Sequence, residues 1–567
     1  MHSEAPQDAS SPSYTLYQQI LSKSQKEERL NTARRKFLKF AGYGLAAEVS
    51  VPRAYGKIDV KGSPGSPSIY GVREFGAVGD GKTIDTPAIN KAIEAASNAG
   101  GGRVYLGAGI YLCYSIHLRS NVAIYLEQGA IIQAADTPME GTTSGGYDAA
   151  EPNAPWDQYQ DFGHSHWHNS LIWGENIHDV SILGPGLIWG KGLSSGGGVD
   201  TPRAEAPGVG NKSIALKNCH NVLLRDFSIL KGGHFGILVT GVDNLTIDNL
   251  KIDTNRDGID IDCCRNVRVS NCSVNSPWDD AICPKSSFAL GYARTTENIT
   301  ISNCYVTGTY ELGTLLDGTF KKFPKDAKID RMGRIKLGTE SNGGFKNITI
   351  SNCIFEGCWG LALETVDGAL LEDISVTNIT MRDIVGVPLF LRLGSRMRGP
   401  KGNPVGQLRR VLISNIVCSN IDHSNGISRL PSILVGIPGH CIEDIKLSDI
   451  FVQHQGGGTL QQAAMQPPEL ETTYPDPDMF ASLPALGFYL RHVRNIDMSH
   501  IEITAMQPDH RTSFVLEDVW DANFLRIDAP QVTGAPMFSL RDVEQFNVFL
   551  SRGVPNATLP RVKQKTL

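Results

Sequence analysis

A ten-residue unit recurs along most of the chain and constrains its fold more than any other feature. It reads HNVLLRDFSI from His220, DNLTIDNLKI from Asp243, RNVRVSNCSV from Arg265, ENITISNCYV from Glu297 and KNITISNCIF from Lys346. Weaker copies begin at Glu372, Arg409, Glu443 and Arg494. The closest copies are 22 and 23 residues apart, which matches one coil of a stacked solenoid. Apolar residues alternate within each unit, as in strands with one face turned to a core. The pattern predicts an all-β chain wound as a parallel β-helix. The Asn at the seventh place of the unit recurs as Asn249, Asn271, Asn303, Asn352, Asn378 and Asn415. It is expected to bond the backbone of neighbouring coils at a turn. Cys272, Cys304 and Cys353 follow it directly and read as a stack of small buried apolar side chains, not a disulfide framework. The adjacent Cys263 and Cys264 lack zinc-ligand spacing, and no metal site or cofactor is expected.

Ahead of the repeats, Tyr70 to Gly81 reads as a short strand and a Gly-rich turn. Asp85-Thr86-Pro87 then predicts a helix start, with Ile89, Ile93 and Ala96 on one face and a stop at Gly100-Gly101-Gly102. The turn precedes no Walker lysine, so the helix reads as a cap on the open end of the solenoid, not part of a nucleotide site. Earlier still, Thr32-Ala33-Arg34-Arg35-Lys36-Phe37-Leu38-Lys39 resembles a twin-arginine export signal. Phe40 to Ala47 is weakly apolar, and Ala54-Tyr55-Gly56 offers a cleavage site. The expected organisation is a signal peptide over 1–56 and one β-helix domain over 57–567, exported to the periplasm or medium. A basic amphipathic segment of a cytosolic protein is the alternative. The net charge of −6 and the lack of a basic stripe argue against nucleic acid as a partner. A polyanionic substrate would need local cations. No apolar run is long enough to span a bilayer, so no membrane association of the mature chain is expected.

The chemistry concentrates between Asp257 and Lys285. Asp257 and Asp280 are 23 residues apart and should occupy equivalent places on neighbouring coils. With coils about 4.8 Å apart, the two carboxylates could hold one water, and repulsion would raise one pKa. Asp279 is next to Asp280, so strand alternation should turn it away. A set of turn aspartates without chemistry is the bland alternative.

These residues carry a resemblance. The coil repeat, the FGAVGDGKT start, Asn255-Arg256-Asp257-Gly258-Ile259-Asp260 and Trp278-Asp279-Asp280-Ala281-Ile282 are similar to glycoside hydrolase family 28, which holds the polygalacturonases and rhamnogalacturonan hydrolases. The resemblance covers roughly residues 68 to 555. It implies a right-handed, pectin-lyase-like β-helix and an inverting hydrolase of pectic polysaccharide or oligosaccharide. It assigns the general acid to Asp279 and water activation to Asp257 and Asp280. Lys285 matches a family lysine, and Gly338-Thr339-Glu340 resembles the family's Gly-Ser-Glu, placing Glu340 at the substrate. Two departures follow. The family's Gly-His-Gly histidine would fall at Gly333, and its carboxylate-gripping Arg-Ile-Lys reads Ala362-Leu363-Glu364. Register offers a substitute. Ile259, Ile261, Ile282, Ile335, Leu337 and Leu363 should point inward, leaving Arg334 and Lys336 on the outer face one coil nearer the Asp pair. Arg334 and Lys336 could recognise an acidic sugar; alternatively Lys336 pairs with Glu364 on the next coil. His234, one coil before Asp257, could touch the sugar or be a satisfied turn histidine.

Three long segments should leave the coils. Residues 135–170 hold Trp156, Tyr159, Phe162, Trp167 and the alternating His164, His166 and His168, read as a sugar-binding rim or, alternatively, metal ligands. Residues 309–332 carry Lys321, Lys322, Lys325 and Lys328, read as a solvated loop in preference to a binding patch. Residues 454–486 bring Tyr474 and Phe480. Such obstructions favour exo action. The competing function classes are a non-catalytic carbohydrate-binding β-helix, which would have little use for three repelling carboxylates, and a polysaccharide lyase, which would want a calcium cage and a basic catalyst.

Overall fold

The computed structural model describes residues 68–136, 146–195, 204–324, 326–421, 430–530 and 534–567. The expected signal peptide lies outside them, as does Lys325. The described chain is a parallel β-helix in which each strand pairs with the equivalent strand of the coils before and after it. Parallel crossovers are right-handed for steric reasons, which sets the hand of the winding. Early coils contain three short strands. In later coils two of these merge into long strands such as Leu370–Arg382 and Gln407–Ser419. The repeats fall in register: Val222 faces Leu245, which faces Val267, which faces Ile299, which faces Ile348. Their side chains join one continuous apolar core along the solenoid.

The helix α1 spans Thr86–Asn98 and buries Ala88, Ile89, Ala92, Ile93 and Ala96, so it caps the first coil as its periodicity predicts. The Asp85 carboxylate does not cap its own helix. It accepts from the Val78 and Gly79 N–H groups at 2.7 and 3.0 Å and so ties down the Gly-rich turn. At the other end, the strand Ala557–Thr566 pairs antiparallel with Phe538–Phe549 and closes the stack.

The six repeat asparagines all adopt left-handed backbone (φ 55–59°). This conformation is tolerated best by Gly and Asn. Five of these amides donate to side chains of the preceding coil, not its backbone, and Asn352 accepts from Asn378 of the next. Asn271 Nδ2 donates to Asp248 Oδ1 at 2.8 Å, and Asn378 Nδ2 donates to Asn352 Oδ1 at 3.1 Å. A second ladder, missed in the sequence, runs through Asn221, Asn244, Asn266, Asn298 and Asn347, also left-handed. All eleven cysteines are free, and Cys272, Cys304 and Cys353 are buried in the core as expected. Among the described residues no helix is long and apolar enough to cross a membrane.

Candidate active site

One sheet of the solenoid carries the candidate catalytic residues. Its strands in chain order are β1 (Phe235–Thr240), β2 (Asp257–Asp262), β3 (Ile282–Lys285), β4 (Ile335–Leu337), β5 (Leu361–Thr365) and β6 (Leu389–Leu393). Phe235 faces Asp257, Ile259 faces Ile282, and Ile282 faces Ile335. Asp257 and Asp280 therefore stand at equivalent places on adjacent coils, and the Asp280 N–H donates to Asp257 Oδ1 at 3.2 Å. Gly258 is glycine for a steric reason: a Cβ there would lie 2.5 Å from the Ala281 carbonyl oxygen of the next coil.

Asp279 is not turned away. Residues 277–281 form a turn before β3, so strand alternation does not apply. One carboxylate oxygen from each of Asp257, Asp279 and Asp280 lies within 4.8 Å of the others. Asp279 is the open member at 18% side-chain exposure, whereas Asp280 is 1% exposed. Arg256 donates to Asp279 Oδ2 through Nε at 3.1 Å and Nη2 at 2.7 Å. The sequence reading gave Arg256 no role, although it sits inside the motif.

The inward positions are as expected, with Ile259, Ile261, Ile282, Ile335, Leu337 and Leu363 fully buried. The register beyond β4 differs by one strand pair from the expectation. Lys336 faces Ala362, and Glu364 lies beyond it, opposite Arg392 on β6. Lys336 thus pairs not with Glu364 but with Asp280, Nζ to Oδ2 2.5 Å. Arg334 Nε donates to Asp280 Oδ1 at 2.7 Å, its Nη2 to Asp476 Oδ1 at 2.7 Å, and its guanidinium lies 5.2 Å from the Trp359 ring centre. Both cations point outward as expected but are covered, at 1% and 3% exposure.

These neighbours split the trio electrostatically. Burial drives Asp257 well above the ordinary carboxylate range, and repulsion from Asp260 and Asp279 adds to it. Asp280 is equally buried, but Lys336 and Arg334 outweigh the desolvation and hold it below that range. Glu364 has no hydrogen-bond partner on either oxygen, and burial pushes it up to about 8 despite nearby Lys336 and Arg334.

Lys285 lies between Asp260 Oδ2 at 3.8 Å and Glu340 Oε2 at 3.6 Å. Glu340 also accepts from Arg398 Nη2 at 2.7 Å; although burial opposes it, Lys285 and further cations hold the carboxyl well below its usual range. His234 stacks on Phe235, and its Nε2 has no hydrogen-bond partner. Burial, then the Arg256 charge, keeps its imidazole neutral. His164 places Nε2 3.5 Å from Asp260 Oδ2 without a hydrogen bond, and Asp257 completes a His-Asp-Asp group within 4.8 Å.

Three segments cover this sheet. From 146–170, Trp156 Nε1 donates to the Ala289 carbonyl at 3.2 Å and Trp167 Nε1 to Thr240 Oγ1 at 3.1 Å. The three alternating histidines separate. His164 meets Asp260, His166 bonds Asn153 and stacks on Phe162, and His168 sits between Glu151 and Glu175, so they form no joint metal site. The second cover is 394–403, where Arg396 grips Asp367 and Arg398 joins Glu340 to the Tyr159 carbonyl. From 466–484, the Tyr474 hydroxyl bonds Thr339 Oγ1 at 2.9 Å and Asp476 holds Arg334. In the 309–332 insertion Lys321, Lys322 and Lys328 are exposed as expected, but the loop itself is anchored, with Tyr310 and Leu315 buried and the Asp253 carboxylate accepting from the Gly313 and Leu315 N–H groups. Lys321 pairs with Glu311 and Lys322 with Glu356, while Phe323 sits edge-on to Trp278. Asp260, Asp476, Arg396 and Arg398 had no assigned role in the sequence reading. Only Asp260 lies within the motif; the others come from loops far along the chain. A cavity of about 380 Å³ lies among Asp148, Glu151, Phe162, Asn169 and Val209, and none of the three catalytic candidates lines it.

Comparison with known proteins gives partial family matches. The profile "Rhamnogalacturonase A/epimerase, pectate lyase-like" matches residues 69–142, and "Right handed beta helix region" matches 195–290. A probable polygalacturonase of Vitis vinifera is 23% identical over 400 residues, covering 66% of this chain and 73% of the relative. A family 28 exopolygalacturonase of Yersinia enterocolitica superposes with a TM-score of 0.59 at 17% identity, over 82% of this chain and 79% of that one. A hyperthermoactive exopolygalacturonase of Thermotoga maritima gives 0.53 at 17% identity, over 77% and 92%. The solved structures share the right-handed parallel β-helix. The chain is similar to glycoside hydrolase family 28 in both its motifs and its fold.

Proposed function

We propose that the protein is a glycosidase that hydrolyses O-glycosidic bonds in pectin-type polysaccharide or oligosaccharide, at chain ends and with inversion. The observation that carries this reading is the carboxylate trio with one open acid and two buried members pushed in opposite directions. Asp279 faces the opening and gives its proton to the glycosidic oxygen as the C–O bond breaks. A water adds its hydroxyl to the anomeric carbon, and its remaining proton passes to Asp280, the member held ionised. Asp257, kept protonated by burial and its acidic neighbours, orients that water and stands close enough to Asp279 to return a proton.

Inversion rests on the resemblance and on the state of Asp280. One oxygen from each of the three carboxylates lies within 4.8 Å of the others, and inverting enzymes hold their acid and base about 6.5–9.5 Å apart. Yet each Asp280 oxygen is tied to a cation, Oδ1 to Arg334 and Oδ2 to Lys336, so neither is free to bond the anomeric carbon, which favours water as the attacking group. Chain-end action is supported by the three covering segments and by Arg398, which bonds both Tyr159 and Glu340. The twin-arginine-like N-terminus supports an exported enzyme. The test is incubation with oligogalacturonides and rhamnogalacturonan fragments while ¹H NMR follows the newly formed anomer. The expected result is release of a terminal sugar with inverted configuration, lost in Asp279→Asn. A retained anomer would exclude the direct-displacement step. No release from any pectic fragment would leave the carbohydrate-binding reading in its place.

A further inference from the structure

The cations around the trio are already matched. Lys285 lies between Asp260 and Glu340. Arg334 holds Asp280 and Asp476, and Lys336 holds Asp280. Arg396 pairs with Asp367, and Arg398 with Glu340 and Asp161. Arg256, the most exposed of them at 31%, spends two nitrogens on Asp279 Oδ2. Five of these six basic side chains have a carboxylate partner other than Asp279, while Arg256 faces Asp279 itself, which is neutral as long as it holds the proton it donates; Glu364 and Asp257 stand beside them as further carboxyls. A uronate entering here would add a negative charge where none is wanting. Arg334 Nη1 remains open to bond it, but the charge of that cation is already balanced by Asp280 and Asp476, so an acidic sugar gains a hydrogen bond and little net attraction.

What the site does lack is hydrogen bonding. Both nitrogens of His164, His234 Nε2, Arg334 Nη1 and both oxygens of Asp260 and of Glu364 are buried without a hydrogen-bond partner in the protein. Hydroxyl groups donate and accept without adding charge, so they meet this shortage where a carboxylate would not.

We propose that the sugar unit seated against Asp279 is uncharged: a neutral hexose, deoxyhexose or pentose at the end of a pectic chain, not a uronate. This rests on the glycosidase reading above and narrows it. The bond broken is the glycosidic C–O bond of that neutral unit, water supplying the hydroxyl to its anomeric carbon and Asp279 the proton to the leaving oxygen. Arg334 and Lys336 then serve to keep Asp280 ionised, and they do not grip the substrate.

The test compares oligogalacturonides with the same oligosaccharides after carboxyl reduction to galactose units, and adds rhamnogalacturonan fragments with rhamnose at the non-reducing end. Binding to the wild-type protein is read by calorimetry and terminal-sugar release by chromatography. The expected result is at least about tenfold better binding and kcat/KM for the neutral-ended chains, a difference that one buried charge readily supplies. Equal or better handling of the acidic ends, with free galacturonate released, overturns the inference and leaves the pectic glycosidase reading intact. No binding and no release for any fragment overturns both. A second arm uses Glu340→Gln and Asp476→Asn, each of which deprives a cation of one partner. Both should shift the preference toward acidic ends by about tenfold, a change of specificity that a merely structural role would not produce. An unchanged preference in folded variants counts against the proposal.

Discussion

Two faces of the same solenoid obey one register and hold opposite contents. On the ladder face, six coils repeat the same neutral asparagine, exposed, left-handed and bonded to a neighbouring coil's side chain. On the face of the candidate site, the catalytic face by the role proposed for it, successive coils contribute different ionisable residues, turned outward by the same alternation and then buried beneath loops from 146–170, 394–403 and 466–484. Uniform side chains stacked coil on coil satisfy one another locally and need no cover. Charged ones so stacked must be balanced by cations from other coils and by acids from distant loops. The ladder face contributes regularity and the catalytic face concentrates electrostatic energy, so damage to the two should differ in kind as well as size.

The largest expected effect is on the catalytic face. Arg334→Ala leaves Asp280 with Lys336 alone and takes its cation from the part-exposed Asp476, which should cost about 3 kcal/mol in denaturant unfolding, the low end for a broken buried pair. Arg334→Lys should recover only part of this, because one ammonium cannot reproduce the fork between the two carboxylates. A loss below about 1 kcal/mol for Arg334→Ala would put that face on a par with an exposed surface pair.

A smaller effect should appear as pH dependence. Glu364 is raised to about 8 in the folded protein from an ordinary value of 4.5. The folded state therefore binds this proton more tightly than the unfolded chain does. The resulting stability is fully present below about pH 4.5 and is lost as pH rises through about 8. Melting temperature followed from pH 5 to pH 9 should fall more steeply for the wild type than for Glu364→Gln. Parallel curves would mean that Glu364 is not a buried neutral acid.

The smallest effect belongs to the ladder. Asn303→Ala should cost about 1–2 kcal/mol, from one side-chain hydrogen bond and from a left-handed backbone that Ala resists. Asn303→Gly should cost less, since Gly restores the conformation while leaving the hydrogen bond unmade. If Ala and Gly cost the same, the ladder acts through its hydrogen bonds and not through its turns.

The two faces were also unequally legible. The coils, the inward columns of Ile259, Ile282 and Ile335 and the cysteine stack follow from alternation and period alone, because those are properties of neighbouring residues. The trio was found too, through its motif. Two errors there have local causes: Asp279 lies in a turn where alternation does not hold, and the step from β4 to β5 shifts by one pair, so Lys336 faces Ala362. The partners of the site cations were beyond reach for a different reason. Asp476 meets Arg334 across 142 residues, and Arg398 meets the Tyr159 carbonyl across 239. No periodicity links a loop to the coil it covers. Arg256 was within the motif and could have been noticed, since a guanidinium directly before a candidate catalytic carboxylate is a partner in waiting.

The strand Ala557–Thr566 runs against the direction of every coil before it. A stack of parallel coils ends in an open row of peptide groups onto which another chain could zip, turning a single molecule into the first subunit of a filament. Here the row is filled from within the same molecule. The edge that remains carries Pro560, Arg561, Lys563 and Lys565 in a largely exposed strand. A proline interrupts pairing and basic side chains repel a like copy, so the geometry that lets coils multiply within one chain stops at its boundary.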